Sequence, residues 1–223
     1  MNKVKIAPTL ACADLMNTER DVRILDRSGV DTYHVDIMDG TFVPNYCLSW
    51  DFVKSLRSIT DTPIDIHLMT ANLRRDIETA VSLPVQAVAF HLEAAGEYTP
   101  EYLSMIRKKG IKAGLAVSPE TPIGDAGKYL ENTDYILVMG VRPGFSGQKF
   151  IDETFSRVSR LDSIRKERNL SFEIYVDGGI TKEIATELGK RGADIIVAGM
   201  PTIFRERGKL EELTQELKTF LRK

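Results

Sequence analysis

Three segments of this 223-residue chain carry side chains that can hold a divalent cation and move protons. In His34-Val35-Asp36-Ile37-Met38, alternation along an extended chain puts His34, Asp36 and Met38 on one face and Val35 and Ile37 on the other. A histidine and a carboxylate turned together into an interior cost free energy unless they are paired or used. A hydrogen-bonded His/Asp pair that only stabilises the core is the competing use, since buried polar groups are usually satisfied structurally. His67 and Asp177 shift that balance, because Ile64-Asp65-Ile66-His67-Leu68-Met69 and Ile174-Tyr175-Val176-Asp177-Gly178-Gly179 end two further strand-like runs. Two imidazoles and two carboxylates suit one divalent metal ion, with Zn²⁺ favoured and Fe²⁺, Co²⁺ or Mn²⁺ as the other candidates. His91, in Phe90-His91-Leu92-Glu93, also lies near a strand end. With the four ligands assigned, it takes a structural or supporting place.

The elements that must position these groups recur at a regular spacing. Short β-branched and apolar runs are expected near Val4 to Leu10, Thr32 to Met38, Ile64 to Met69, Ala87 to Leu92, Lys112 to Val117, Tyr135 to Met139, Glu173 to Asp177 and Asp194 to Gly199. Amphipathic helical patterns lie between them, as in Leu15 to Ser28, Leu73 to Leu83, Glu153 to Arg168 and Lys182 to Arg191, and the chain closes on Lys209 to Leu221. Eight strand and helix pairs without a Pro/Gly/Ser linker predict one closed parallel (β/α)₈ barrel, a TIM barrel spanning residues 1–223 as a single domain. An open doubly wound sheet is the competing architecture, but no GxGxxG follows the first strand. Barrel catalytic groups gather at the C-terminal strand ends, where all four candidate ligands fall.

Composition narrows the partners. A formal charge of -2 with interspersed acids and bases offers no field for a nucleic-acid backbone. No run reaches the length of a membrane span and no signal-type segment opens the chain, so a cytoplasmic location is expected. Cys12 and Cys47 have no CxxC spacing and read as packed residues of a reduced compartment.

The segments Ile6 to Leu10, HVDIMDGTFVPN (34 to 45), DIHLM (65 to 69), VMGVRPGFSGQKF (138 to 150), VDGGI (176 to 180) and VAG (197 to 199) closely resemble ribulose-phosphate 3-epimerases, in the same order and spacing. The resemblance spans nearly the whole chain and implies an α/β barrel of the ribulose-phosphate-binding type. It implies that His34, Asp36, His67 and Asp177 bind the metal, and that Asp36 and Asp177 are the catalytic acid and base. The substrate would be a small-molecule ketose phosphate, D-ribulose 5-phosphate exchanging with D-xylulose 5-phosphate, and the assembly a homo-oligomer. The chemistry is coherent: a proton beside a ketone becomes acidic enough only if the enediolate charge is stabilised, which a chelated metal does. Inversion then needs a base on one face of the carbon and an acid on the other. His67 is also expected to contact substrate.

Met38, Met69 and Met139 are ordinary core filler by type, but the family carries methionines at matching positions around its substrate, which implies a polarisable, water-poor wall. Gly144, Phe145, Ser146 and Gly147 after the sixth strand, Gly178 and Gly179 after the seventh, and Gly199 and Met200 after the eighth would cradle phosphate through backbone N–H groups. Each glycine pair alone is an ordinary turn. The sixth loop is expected to close as a lid.

Four positions depart from the family pattern: Thr9 for serine, Gly140 for threonine, Arg142 for asparagine or aspartate, and Met200 for serine. Thr9 keeps a hydroxyl for a substrate oxygen, Gly140 is expected to open space, and Arg142 to add a cation at the rim. A hexulose phosphate such as D-allulose 6-phosphate is therefore an alternative substrate. A decarboxylase or aldolase of related barrels is disfavoured, because Asp36-Ile37-Met38-Asp39 lacks the lysine of their Asp-x-Lys-x-x-Asp pattern. A noncatalytic sugar-phosphate-binding barrel would not need an acid on each face of the carbon.

Overall fold

The computed structural model describes residues 4–222, so the first three residues and the last of the expected domain lie outside the described residues. Eight parallel strands form one sheet: β1 Lys5–Pro8, β2 Tyr33–Met38, β3 Ile64–Met69, β4 Ala87–His91, β5 Lys112–Val117, β6 Tyr135–Met139, β7 Glu173–Asp177 and β8 Ile195–Ala198. Seven neighbouring pairs are laddered, in the order β1-β8-β7-β6-β5-β4-β3-β2. β1 and β2 meet through a parallel bridge between Thr9 and His34, and Asp31 N–H donates to the Ile6 carbonyl at 3.0 Å. This nearly closes the barrel.

Strand alternation divides the apolar residues into two cores. Outward-facing Val35, Ile37, Ile66, Leu68, Ile136, Val138, Ile174 and Val176 pack beneath the helices. Inward-facing Ala87, Ala89, Ala116, Tyr135, Leu137, Tyr175 and Val197 fill the barrel. The small residues of β4 and β5 make room for the Tyr135 and Tyr175 rings, whose centroids are 4.3 Å apart. A Cβ on Gly114 would lie 2.2 Å from the Tyr135 ring, so glycine is required there. The same parity turns His34, Asp36, Asp65, His67 and Asp177 inward.

The helices are α1 Thr18–Ser28, α2 Trp50–Arg57, α3 Leu73–Ala80, α4 Leu92–Ala95, α5 Thr99–Arg107, α6 Glu153–Glu167, α7 Lys182–Lys190 and α8 Leu210–Phe220. α7 shows why they form where they do: Thr181 caps its start by accepting the Ile184 N–H, and Ala185 and Leu188 bury its inner face. Two expectations fail locally. Leu15–Asn17 is a separate 3₁₀ turn, because Asp14 captures the Met16 N–H ahead of α1. No α-helix follows β5; the connection is two 3₁₀ segments, Ile123–Lys128 and Leu130–Asn132, in a stretch where Pro122, Gly124 and Gly127 disfavour a helix. Among the described residues no helix is long and apolar enough to cross a membrane.

Candidate active site

Register sets the height of each polar side chain. β2 and β3 pair His34 with Asp65, Asp36 with His67 and Met38 with Met69, while β6 and β7 pair Met139 with Asp177. Register therefore gathers these residues inside the barrel, with Asp36, Met38, Met69, Met139 and Asp177 reaching the cavity at its mouth. One atom from each of His34, Asp36, His67 and Asp177 lies within 4.8 Å of the others. His67 Nδ1 stands 3.1 Å from Asp36 Oδ1 and 4.0 Å from Asp177 Oδ2. His34 Nε2 stands 3.4 Å from Asp36 Oδ1 and 3.9 Å from Asp177 Oδ2.

Three of the four groups are backed by a side-chain partner. His34 Nδ1 lies 2.8 Å from Asp65 Oδ2, and the Tyr135 hydroxyl donates to the other Asp65 oxygen at 2.5 Å. The Thr9 hydroxyl donates its proton to Asp36 Oδ2 at 2.6 Å and accepts the Ala11 N–H at 3.3 Å. His67 Nε2 lies 2.9 Å from His91 Nε2.

The donor set fits a divalent cation on an observation of its own: His34 Nε2 is buried and has no hydrogen-bond partner among the described residues. A ring nitrogen so placed, beside two carboxylates and a second imidazole, can serve as a ligand atom. The electrostatics agree. Burial opposes charge on His34, yet Asp36 and Asp65 overcome it and raise its pKa well above the usual value, a sign of surplus negative potential. Burial likewise opposes the Asp36 carboxylate, but His34 and His67 outweigh it and hold the group far below the ordinary carboxylate range. Burial, and then the Asp36 charge, push Asp177 up to about 7. Two aspartates sharing one centre are thus driven apart in proton affinity.

One cavity opens above these groups. Asp36 and Asp177 line it together with Thr9, Met38, Met69, Met139, Gly144, Phe145, Ser146, Gly147, Gly178, Gly179, Gly199 and Met200. His67 does not reach that wall; it is fully buried, and its contacts are with Asp36 and His91 instead of the cavity. Gly178 and Gly179 adopt φ of +107° and +67°, which lets the chain turn sharply out of β7 toward the mouth. Gly140 opens no space: a Cβ there would lie 2.6 Å from the Gly178 carbonyl and 2.8 Å from the Phe150 ring. Arg142 stands at the rim, already paired with Glu120. The loop after β6 is tied down where Asn45 Nδ2 donates to the Gly144 carbonyl at 2.6 Å, and Gln148 Nε2 donates to Arg142 O and Phe145 O.

Sequence reasoning missed Asp65 and Tyr135 as supports and Cys12 as a lining residue. The signal for Cys12 was its place just past β1, at the mouth end of the barrel. Burial pushes its thiol up to about 12, so it is no thiolate nucleophile.

Residues 5–204 match the model of the ribulose-phosphate 3 epimerase family. A ribulose-phosphate 3-epimerase of Treponema pallidum is 38% identical over 87% of this chain and 88% of its own length. One of Aquifex aeolicus is 34% identical over 97% of this chain and 96% of its own. Among solved structures, a variant tryptophan synthase alpha-subunit of Pyrococcus furiosus superposes with a TM-score of 0.69 at 19% identity, covering 99% of this chain and 98% of that one. That likeness is one of fold alone.

Proposed function

The chain belongs to the ribulose-phosphate 3-epimerase family and is an epimerase of the isomerase class, and on that premise we propose that it interconverts D-ribulose 5-phosphate and D-xylulose 5-phosphate, with one divalent cation held by His34, Asp36, His67 and Asp177. The observation that carries the reading is the pair of aspartates. They enter one cavity from β2 and β7, with β1 and β8 between those strands, and their surroundings set their proton affinities apart.

When bound, the cation, with Zn²⁺ favoured, supplies the Lewis acidity that stabilises negative charge on the substrate's carbonyl oxygen. In one direction the Asp36 carboxylate removes the C3 proton, its Oδ2 steadied by the Thr9 hydroxyl. Asp177, which lines the same cavity from β7, donates a proton to the opposite face. In the reverse direction the roles exchange, and the two groups titrate as one coupled system. Met38, Met69 and Met139 wall the reacting carbon from water. Backbone N–H groups at Gly144 to Gly147, Gly178, Gly179, Gly199 and Met200 hold the phosphate, and the β6 loop covers the mouth.

The test is solvent isotope exchange. Metal-loaded protein in D₂O is expected to place deuterium at C3 of D-ribulose 5-phosphate, and Asp177→Asn to lower epimerisation by about 10²–10⁴-fold. Absence of C3 label with every member of a panel of ketose 5- and 6-phosphates overturns the reading. Preferential labelling of a hexulose 6-phosphate moves the substrate and leaves the reaction in place.

A further inference from the structure

We propose that Asn45 is a positioning residue that fastens the β6 loop across the barrel mouth, so that the backbone donors of Gly144 to Gly147 stand ready for the substrate's phosphate. The inference rests on the phosphate-loop reading above and adds to it a residue from the opposite side of the barrel.

β2 and β6 stand four strands apart in either direction round the barrel, so their loops leave from opposite sides of the mouth. They meet above it. Asn45 Nδ2 donates to the Gly144 carbonyl at 2.6 Å, a contact between residues 99 apart in sequence. Among the described residues no other hydrogen bond joins the two loops. Packing runs alongside the bond: Val43 is 4% exposed, and a Cβ on Gly144 would lie 3.1 Å from the Val43 Cβ. Gly144 also has a φ of +117°, so a glycine is what lets the β6 backbone come this close.

The two loops are built differently. The β2 loop is braced from within and from below. Asp39 Oδ1 accepts the Thr41 and Phe42 N–H groups, and its Oδ2 accepts the Ala71 N–H from the loop after β3. The Gly40 N–H donates to the Asn45 carbonyl at 3.0 Å, and the Phe42 and His91 ring centroids are 4.8 Å apart. The Asn45 amide is fixed as well: its Oδ1 accepts the Tyr46 N–H at 2.9 Å, which leaves Nδ2, the donor, for the Gly144 carbonyl. The β6 loop, by contrast, has Gly144 and Gly147 at positive φ and leaves Phe145 exposed, and Gln148 Nε2 gathers it onto its own Arg142 and Phe145 carbonyls. A braced arm therefore holds a pliant loop.

The arm begins just past Met38, so the strand that carries Asp36 also sets where the phosphate loop lies. A ligand binds in proportion to the fraction of molecules whose site already has the receiving shape, and the tie raises that fraction. Phosphate and reacting carbon thereby share one frame.

The test compares metal-loaded wild type with Asn45→Asp and Asn45→Ala. Asn45→Asp keeps the acceptor for the Tyr46 N–H and places an oxygen where the donor was, whereas Asn45→Ala removes both. Amide hydrogen exchange at Gly144 to Gln148 is expected to quicken about 2–10-fold in each variant, the worth of one such bond. The inorganic phosphate concentration that slows this exchange, and the KM for D-ribulose 5-phosphate, are expected to rise by the same factor while kcat changes less. Loop exchange at the wild-type rate in both variants overturns the proposal, and so does a faster loop with the phosphate response unchanged. A lower Tm with loop exchange, phosphate response and KM all as in wild type also overturns it, since Asn45 would then only stabilise the fold. Failure of inorganic phosphate to slow exchange in the wild type sinks the phosphate reading instead, and the variants' exchange rates judge the tie separately.

Discussion

His34, Asp36 and His67 are held by strand register and by buried partners and Asp177 by register, whereas the residues proposed to hold phosphate ride on the loops after β6, β7 and β8. On the floor, Asp65 backs His34, Thr9 backs Asp36 and His91 backs His67. On the rim, Phe145 is 52% exposed, Met200 40%, and Arg142 is paired with Glu120, another exposed side chain. The difference has a physical origin. Proton transfer and metal ligation tolerate errors of a fraction of an ångström, so they need groups locked by packing and hydrogen bonds. Holding an anion through backbone N–H groups tolerates looser framing, and side chains there can change without disturbing the floor.

The largest test of that contrast is catalytic. Asp36→Asn or Asp177→Asn should each cost about 10²–10⁴-fold in epimerisation, measured as turnover and as C3 exchange. Rim variants such as Arg142→Ala should cost less than about 10-fold. A rim loss as deep as the floor loss would erase the distinction. Next in size, Asp65→Asn takes the charged acceptor from His34 Nδ1 and should weaken divalent-cation affinity about 10–100-fold in competition with a chelator, even though Asp65 is not a ligand.

A third test uses stability. Asp177 has its folded-state pKa raised from 3.8 to about 7, so its stabilising contribution is fully present below about pH 4 and is lost as pH rises through about 7. In metal-stripped protein, Asp177→Asn should therefore melt above the wild type at pH 8 by about 4–8 °C, roughly 2 kcal/mol for a chain of this size, with the gap closing toward pH 4. Saturating divalent cation should reverse the order by stabilising the wild type. A gap independent of pH would mean that the Asp177 charge is not the cost.

The contrast also separates what was legible in the sequence from what was not. Period-two alternation reports which face a side chain takes, and it turned His34 and Asp36 inward together, while the apolar runs placed β2 and β3 within one residue. It cannot report what stands across the barrel. The His67–His91 contact joins residues 24 apart on neighbouring strands, and the Tyr135–Asp65 bond spans 70. Both depend on register, which no local pattern encodes. Gly140 failed for the same reason: from composition a glycine reads as space, but Phe150 and the Gly178 carbonyl converge on it. The missing helix after β5 was a failure of period, because the barrel repeat outvoted the local Pro and Gly signals.

The smallest effect is expected at Met200, where the side chain lines the cavity and presents no hydroxyl to a phosphate. Met200→Ser adds one donor at a partly exposed position, worth about 0.5–1.5 kcal/mol, or about 2–10-fold. Because the phosphate is bound alike in substrate and transition state, that gain should appear as a lower KM with kcat unchanged. Measured with pentulose and hexulose phosphates in parallel, an equal gain on both would make Met200 a general affinity residue, and a gain on one a selector of sugar length. A change in kcat as large as that in KM would join rim to floor, since it would show that the phosphate grip also sets how the reacting carbon lies between Asp36 and Asp177.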